Sequence, residues 1–392
     1  MSRRFSLTAA ISLRTVYVLI PAGKPNSRIV WRPHYNFNTN TVARIGRRLQ
    51  LCLTRDAELR GVQFFGTTGR ENTLEKSSKG ASPRVAFQGE PGAFSEEAAV
   101  QLLGRAITTV PRPTFEAAFR SIDEGLADAL LAPVENSLAG SVVRVYDLLL
   151  QSGLGIVAET ILPIEHHLIG CPGATLAGLR SVSSHPMALA QCERFFAENP
   201  NLKRLPAEDT AGSVREVLSR GDLSAAAIAG RRAAEHYGGV ILAAGIQDNA
   251  ENFTRFVLLV QVQREGDPPG DLPNSAPASS PAVTDMMAEL QVRQMDQAPY
   301  SRVLKMAIAL RLAHRPGSLL AALEPFARHR VNLLKIESRP IHGRPWEYQF
   351  FIDVEAQNAN QIHAALVEVK KATSDVQILG YYAAASSSPS NS

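Results

Sequence analysis

"NAENFTRFVLLV", Asn249–Val260, decides how this chain is read. Its apolar end fits a strand buried on both faces. Yet a hydroxyl and a permanent cation, Thr254 and Arg255, stand between Phe253 and Phe256, where that strand enters its core. What they serve has to be sought in the rest of the chain.

With 392 residues, 45% hydrophobic and 20% charged, the composition is that of an ordinary globular protein of two or three domains. The net charge of +4 is unevenly spread: Met1–Arg55 holds nine arginines, one lysine and no acidic residue. The remainder is slightly acidic, which argues against nucleic acid as the main partner. Cys52, Cys171 and Cys192 form no CxxC and point to a reducing compartment without structural disulfides. No run approaches the roughly 18 apolar residues that a membrane span needs. Residues 1–82 carry no recognisable chemistry and read as a poorly ordered extension of a cytoplasmic protein. Their Arg-rich, acid-poor composition also fits a transit peptide, which makes a plastid the alternative location.

Regular patterning starts at "RVAFQG", Arg84–Gly89, and alternates strand and helix through Val262. Residues 263–300 have linker composition with room for a short helix before Pro299, 302–382 form a second periodic region, and 383–392 are a low-complexity tail. In the first region a short apolar strand, a loop of small polar residues and a helix recur, which is the pattern of a parallel α/β sheet. Such sheets bind ligands at the carboxyl ends of their strands, where helix N-termini offer unpaired N–H groups to an anion. The loops there carry Ser95, read as a helix N-cap, and Asn136, Ser137, Ser184 and Thr210. Each of these taken singly is more often a mere cap. GEPG is no P-loop, no GxGxxG follows a strand, and HExxH is absent. His166 and His167 fall in a predicted strand and so face opposite ways, His185 before Pro186 reads as structural, and Cys192 reads as a packed small hydrophobe.

Taken in order, "GEPGAFSEEAA", "PVENSLAGSV", "SHPMALAQC", "DTAGS", "AAIAGRRAAEHYG" and "GIQDNAENFTRFVLL" resemble the prephenate dehydratase family, plant arogenate dehydratases included. The match covers 84–262, and 302–382 resembles the ACT domain that follows it in these enzymes. The resemblance implies an α/β fold: a two-lobed catalytic domain built like a type II periplasmic binding protein, plus a ferredoxin-like βαββαβ ACT domain. Lobe one is expected at about 84–160 and 238–262, and lobe two at about 161–237. Thr254 and Arg255 then lie on the cleft floor, there for the ligand.

The reaction implied is loss of CO2 and water from prephenate, giving phenylpyruvate, with arogenate as the second substrate choice and neither metal nor organic cofactor. Hydroxide is a poor leaving group, so a proton must reach the departing oxygen, and the family assigns that role to the position of Thr254. Asn136, Ser137, Ser184 and Gln191 resemble substrate-binding positions, with Ser95 and Thr210 as weaker donors and Phe256 as pocket lining. Arg255 is expected either to clamp a carboxylate or to pair with Glu135 or Asp248. Met187 departs from the glutamine usual after "SHP". In the second domain "KIESRP", Lys335–Pro340, matches the family's phenylalanine-binding signature. The effector L-phenylalanine is therefore expected at Gly317, Ser318, Leu319 and Leu320 together with Glu337, Ser338, Arg339 and Pro340, in a homodimer or homotetramer. Strand alternation allows at most one of Glu337 and Ser338 to face it. A non-catalytic amino-acid sensor of the same fold is the alternative of another class.

Overall fold

The structure, a computed structural model, describes residues 10–12, 15–17, 82–262, 281–297 and 303–385, apart from 342 and 344–346. Most of the expected extension, part of the linker and residues 386–392 lie outside these. The chain divides into two compact units, 1–77 and 78–392. In the first, β1 (Ala10–Ser12) and β2 (Thr15–Tyr17) form a short antiparallel hairpin. Everything described below belongs to the second.

Lobe one is a sheet of β3 (Arg84–Gln88), β4 (Thr108–Arg112), β5 (Ala129–Asn136) with the short β6 (Gly140–Ser141), β7 (Leu154–Pro163) and β13 (Phe253–Gln261). β4, β3 and β5 run parallel, and β13 lies antiparallel between β5 and β7. The continuous apolar run of β13 reflects this central place. Phe256, Leu258 and Val260 enter the core under helix Phe94–Leu103, and Val257 and Leu259 enter the core on the other face. Each such side chain contributes about 1.5–3 kcal/mol by leaving water.

Lobe two is a five-stranded sheet of β8 (His167–Gly170), β9 (Ser181–Ser184), β10 (Lys203–Pro206), β11 (Ala225–Ala229) and β12 (Val240–Ala243), in the order β10-β9-β11-β8-β12. This corrects the expected lobe boundaries. β7 stays in lobe one through Pro163, and β12 pairs with β8 in lobe two. The chain therefore returns after Ala243 and not at 238. "VILA" is a strand in either reading, and only its antiparallel partner decides the sheet.

Residues 281–297 also differ from a plain linker: Pro281–Gln297 is a helix whose Val283, Met286 and Leu290 pack on the core beneath helix Phe94–Leu103. Their i, i+3, i+7 spacing makes the apolar stripe of a 17-residue helix, longer than the short one expected there.

The C-terminal domain is βαββαβ: β14 (Leu304–Arg311), helix Ser318–Arg328, β15 (Asn332–Pro340), β16 (Tyr348–Ala356), helix Ala359–Ala372 and β17 (Asp375–Ala383). Its strand order is β15-β16-β14-β17, and both helices share one face with Met306, Ile308, Ile352 and Val354. The other face is not left to solvent: Ala307, Ala309, Phe351, Leu379 and Tyr382 complete the core of lobe one over helix Val143–Gln151. β17 also pairs with β7 in parallel at Gly380 and Ile156, joining both domains into one ten-stranded sheet. The strands approach there because residue 380 has no side chain; a Cβ would collide with the carbonyl oxygen of Ile156.

Gly380→Val is therefore expected to drive β17 off β7 and lower stability by about 1–3 kcal/mol, read by thermal unfolding. An unchanged midpoint would show that this strand contact contributes nothing.

Candidate active site

The expected acid, Thr254, is the second residue of β13, and it lies directly across from Asn136 at the end of β5. The amide nitrogen of Asn136 donates to Thr254 Oγ1 at 3.0 Å, to Asn252 Oδ1 at 2.7 Å and to the Phe253 carbonyl at 3.2 Å. Its oxygen accepts from the backbone N–H groups of Leu138 and Ala139, so both ends of the amide are held. Because Thr254 Oγ1 is an acceptor in this bond, its own proton is free for another partner. Thr254 is only 8% exposed, so that proton is presented in a largely desolvated place.

From Asn136 the polar chain continues into lobe two. Asn252, fully buried, donates to Gln191 Oε1 at 3.1 Å, and His166 Nε2 meets the same oxygen at 2.8 Å. Since that oxygen only accepts, neutral His166 carries its proton on Nε2. His166 Nδ1 is buried without a hydrogen-bond partner, and the ring is packed edge-on against Phe94. Burial holds the His166 imidazole below its ordinary pKa, only partly offset by the bond to Gln191. His166 and Asn252 are the site residues that sequence reading missed. His166 lies in the crossing before β8, not within a strand, so opposition to His167 did not apply. Asn252 stands two residues before Thr254 in a polar run, where nothing local marks it out.

The remaining expected residues separate into groups. Ser137 Oγ accepts from Phe253 N and donates to the Glu251 carbonyl, which stitches the returning chain to β5. Ser184 is fully buried and donates to the Ile228 carbonyl at 2.6 Å, holding β9 against β11. Ser95 is not an N-cap: helix Phe94–Leu103 is capped at Ala93, and Glu96 reaches back to Gly92 N. Thr210 opens helix Thr210–Arg220 behind the capping carboxylate of Asp209. His185 accepts from Met187 N as a local cap, and the Met187 residue is half-exposed. Phe256 is packed in the core beneath Thr254.

Arg255 turns to the opposite face of β13 from Thr254, as adjacent strand residues must. There its guanidinium is buried with Asp353 of the C-terminal domain, with Glu159 at 3.8 Å and Glu135 at 3.8 Å. Arg255 is thus held by carboxylates of the protein, Glu135 among them. Asp248 is not one of them: it accepts from the backbone N–H groups of Glu193 and Arg194. In the C-terminal domain Gly317 takes the left-handed conformation (φ 81°) that starts helix Ser318–Arg328, where Leu319 packs inward and Leu320 is exposed. Glu337 and Arg339 face lobe one, beside Lys335 and Asp147, while Ser338 and Pro340 are exposed.

The lobes meet across the cleft. Glu96 receives Arg232 Nε at 3.0 Å and Thr109 Oγ1 at 2.8 Å, and Glu90 pairs with Arg215. Burial would raise the pKa of Glu96, but its bonds to Arg232, Gly92 and Thr109 outweigh this and hold it below the usual range. Gly92 lies so close to Ala233 that a Cβ would not fit. Chemically, the site offers one hydroxyl proton beside fixed amide donors. None of the hydroxyls Thr254, Ser137 and Ser184 has a hydrogen bond to an imidazole or a carboxylate among the described residues.

Residues 85–264 match the sequence pattern of prephenate dehydratase, and 307–365 match that of the ACT domain. The arogenate dehydratase/prephenate dehydratase 1 of Arabidopsis thaliana, named as chloroplastic, is 38% identical over 314 residues, 76% of this chain and 71% of that protein. The solved prephenate dehydratase of Arthrobacter aurescens in complex with L-Phe superposes with a TM-score of 0.63 at 29% identity, covering 78% of this chain and 92% of that one. GqqA, a quorum-quenching acylase, superposes with the same TM-score at 32% identity, covering 77% and 98%.

His166 generates a pH prediction. Below its ordinary value of 6.5 the unfolded chain takes up a proton that buried His166 resists, so the unfolded state gains and stability falls as pH drops. Protonation also creates an Nδ1–H donor with no acceptor. Unfolding midpoints measured from pH 7.5 to 5.5 should decline less steeply for His166→Gln than for the wild type. Parallel curves would show that His166 titrates as it does in the unfolded chain.

Proposed function

Because the chain belongs to the prephenate dehydratase family, we propose that it converts prephenate to phenylpyruvate with Thr254 as the proton donor. The observation that carries this reading is the hydrogen bond from Asn136 to Thr254 Oγ1, which leaves the hydroxyl proton as the one that can be given away. The ring carboxylate leaves as CO2, and its bonding pair enters the ring and aromatises it. The ring C–O bond breaks, and the departing oxygen takes the proton from Thr254, directly or through one water, and leaves as water. Solvent returns the proton to Thr254 before the next turnover. A positioned acid of this kind contributes about 10²–10⁴-fold. A threonine hydroxyl is weakly acidic, so the contribution depends on geometry, which Asn136, Asn252, Gln191 and His166 maintain.

Asn136 and Gln191 are the amides suited to the substrate, and Ser95 and Thr210 stand at helix N-termini that favour its carboxylates. Ser137, Ser184 and Phe256 act through the backbone and core that hold the site. Arogenate carries an ammonium in place of the side-chain keto group. Prephenate is placed ahead of it here, although the Arabidopsis relative is named for both. The acylase reading is disfavoured because hydrolysis by a nucleophile calls for a neighbouring base, and Thr254 has an amide instead. The reading as a non-catalytic sensor is disfavoured by the complete motif set, with "NFTRF" intact beside "ENS" and "SHPMALAQC".

L-Phenylalanine is the proposed effector, bound at 317–320 and 337–340 of the ACT domain. β15 forms one edge of the ten-stranded sheet, and Leu333, Leu334 and Ile336 on it are exposed. Such an edge calls for a partner, which supports a homodimer or homotetramer paired through the ACT domains. The location proposed is cytoplasmic, with the plastid as the alternative that the chloroplastic relative favours.

Thr254→Val keeps the volume and removes the hydroxyl, and kcat on prephenate should fall about 10²-fold or more with KM little changed. Wild-type turnover by this variant would exclude Thr254 as the acid. Comparing kcat/KM for prephenate and arogenate on one preparation decides the substrate, with the higher value expected for prephenate.

A further inference from the structure

Thr254 and Asn136 lie side by side on two strands, and so do their chain neighbours: Arg255 is directly across from Glu135. The first pair faces the cleft. The second faces the C-terminal domain, where two side chains of opposite charge meet it. Asp353 binds Arg255, and Lys335 Nζ lies 3.9 Å from Glu135. Asp353 and Lys335 are themselves cross-strand partners on β16 and β15. A matched pair on one domain therefore holds a matched pair on the other, one residue behind the acid and the amide that orients it.

We propose that Asp353 and Lys335 are positioning residues for the dehydration, setting Thr254 and Asn136 from behind through Arg255 and Glu135, and that phenylalanine regulates turnover through this clamp. The inference rests on the dehydratase reading above. Three features carry it. The Arg255–Asp353 arm is buried, with side chains exposed by only 12% and 4%, so its charges are little screened by solvent, while Lys335, 9% exposed, reaches the outer, 38% exposed Glu135. The clamp is continuous with the expected effector strand: Glu337, two residues beyond Lys335 on the same face, lies 3.6 Å from its ammonium. And it has spare bonding capacity, since Arg255 Nε and Glu159 Oε2 are buried without hydrogen-bond partners. A guanidinium among Asp353, Glu159 and Glu135 can exchange partners, which gives the element two arrangements for an effector to choose between. Tyr146 sits between the two arms, its hydroxyl 3.4 Å from Arg255 and 3.2 Å from Lys335, so a shift of one is felt by the other.

An interdomain ion pair that only adds stability would lower the unfolding midpoint and leave kcat, KM and the phenylalanine response alone. The full chain and its Asp353→Asn and Lys335→Met variants are compared in three ways: prephenate turnover, the phenylalanine concentration giving half-inhibition, and amide hydrogen exchange. For Asp353→Asn, kcat should fall about tenfold with KM within about threefold of wild type. In both variants the half-inhibitory concentration should rise at least about tenfold, and exchange should quicken at 134–137 and 253–256. If Asp353→Asn does not fold, Lys335→Met and Asp353→Glu, which should restore most of kcat, carry the test. Folded variants with wild-type turnover, phenylalanine response and exchange overturn the inference. A wild type without turnover overturns the dehydratase reading instead, and the exchange comparison then still decides whether the C-terminal domain holds these strands.

Discussion

The register of β13 against β5 is the constraint on which the rest of the structure depends. It places Thr254 across from Asn136 and, one residue on, Arg255 across from Glu135. Strand alternation then sends the first pair to the cleft and the second to the opposite face. A slip by one residue would exchange these faces, putting a guanidinium in the cleft and a hydroxyl among the carboxylates. The apolar residues that follow prevent this. Phe256, Leu258 and Val260 fit only under helix Phe94–Leu103, and Val257 and Leu259 fit only on the side of helix Val143–Gln151.

Two kinds of polar burial meet across this one strand. On the cleft side the groups are neutral, an alternation of donor and acceptor from Thr254 through Asn136, Asn252 and Gln191 to His166. Such a chain fixes orientations without attracting a counter-ion. On the other side three cations, Arg255, Lys305 and Lys335, face four carboxylates, Glu135, Glu159, Glu337 and Asp353. Burial opposes charge on Arg255, yet Asp353 and the neighbouring groups raise its pKa above the ordinary value, so it is a permanent cation there. Removing one member of such a cluster strands another, which is why the domains are not independent pieces. The apolar core gives the same result: Phe351 and Tyr382 of the C-terminal domain pack with Leu149 and Leu259 of lobe one.

Much of this was legible in the sequence. The strand–loop–helix grammar, the βαββαβ order and the motif set each follow from local pattern, because period, caps and turn residues are local properties. The resemblance also picked out Thr254 and Asn136, which lie directly across from each other on β13 and β5. What was not legible concerns partners. Ser137, Ser184 and Ser95 looked alike as small polar residues before helices, yet the first two spend their hydroxyls on the backbone and the third is no cap. Arg255 admitted two readings until its carboxylates were seen.

The sequence by itself determined most of the elements, the order of the domains and the motifs on which the resemblance rests, since these depend on neighbours within a few positions. Only the tertiary structure decided that β12 belongs to lobe two, that helix Pro281–Gln297 covers lobe one, and that His166 and Asn252 complete the chain behind Thr254. It also decided that the open face of the C-terminal sheet is spent on the catalytic domain. The physical reason is the same each time: a strand, an apolar stripe or an amide states what kind of partner it needs, and folding alone brings a particular one within reach, for the amides Asn136 and Asn252 from 61 to 118 residues away.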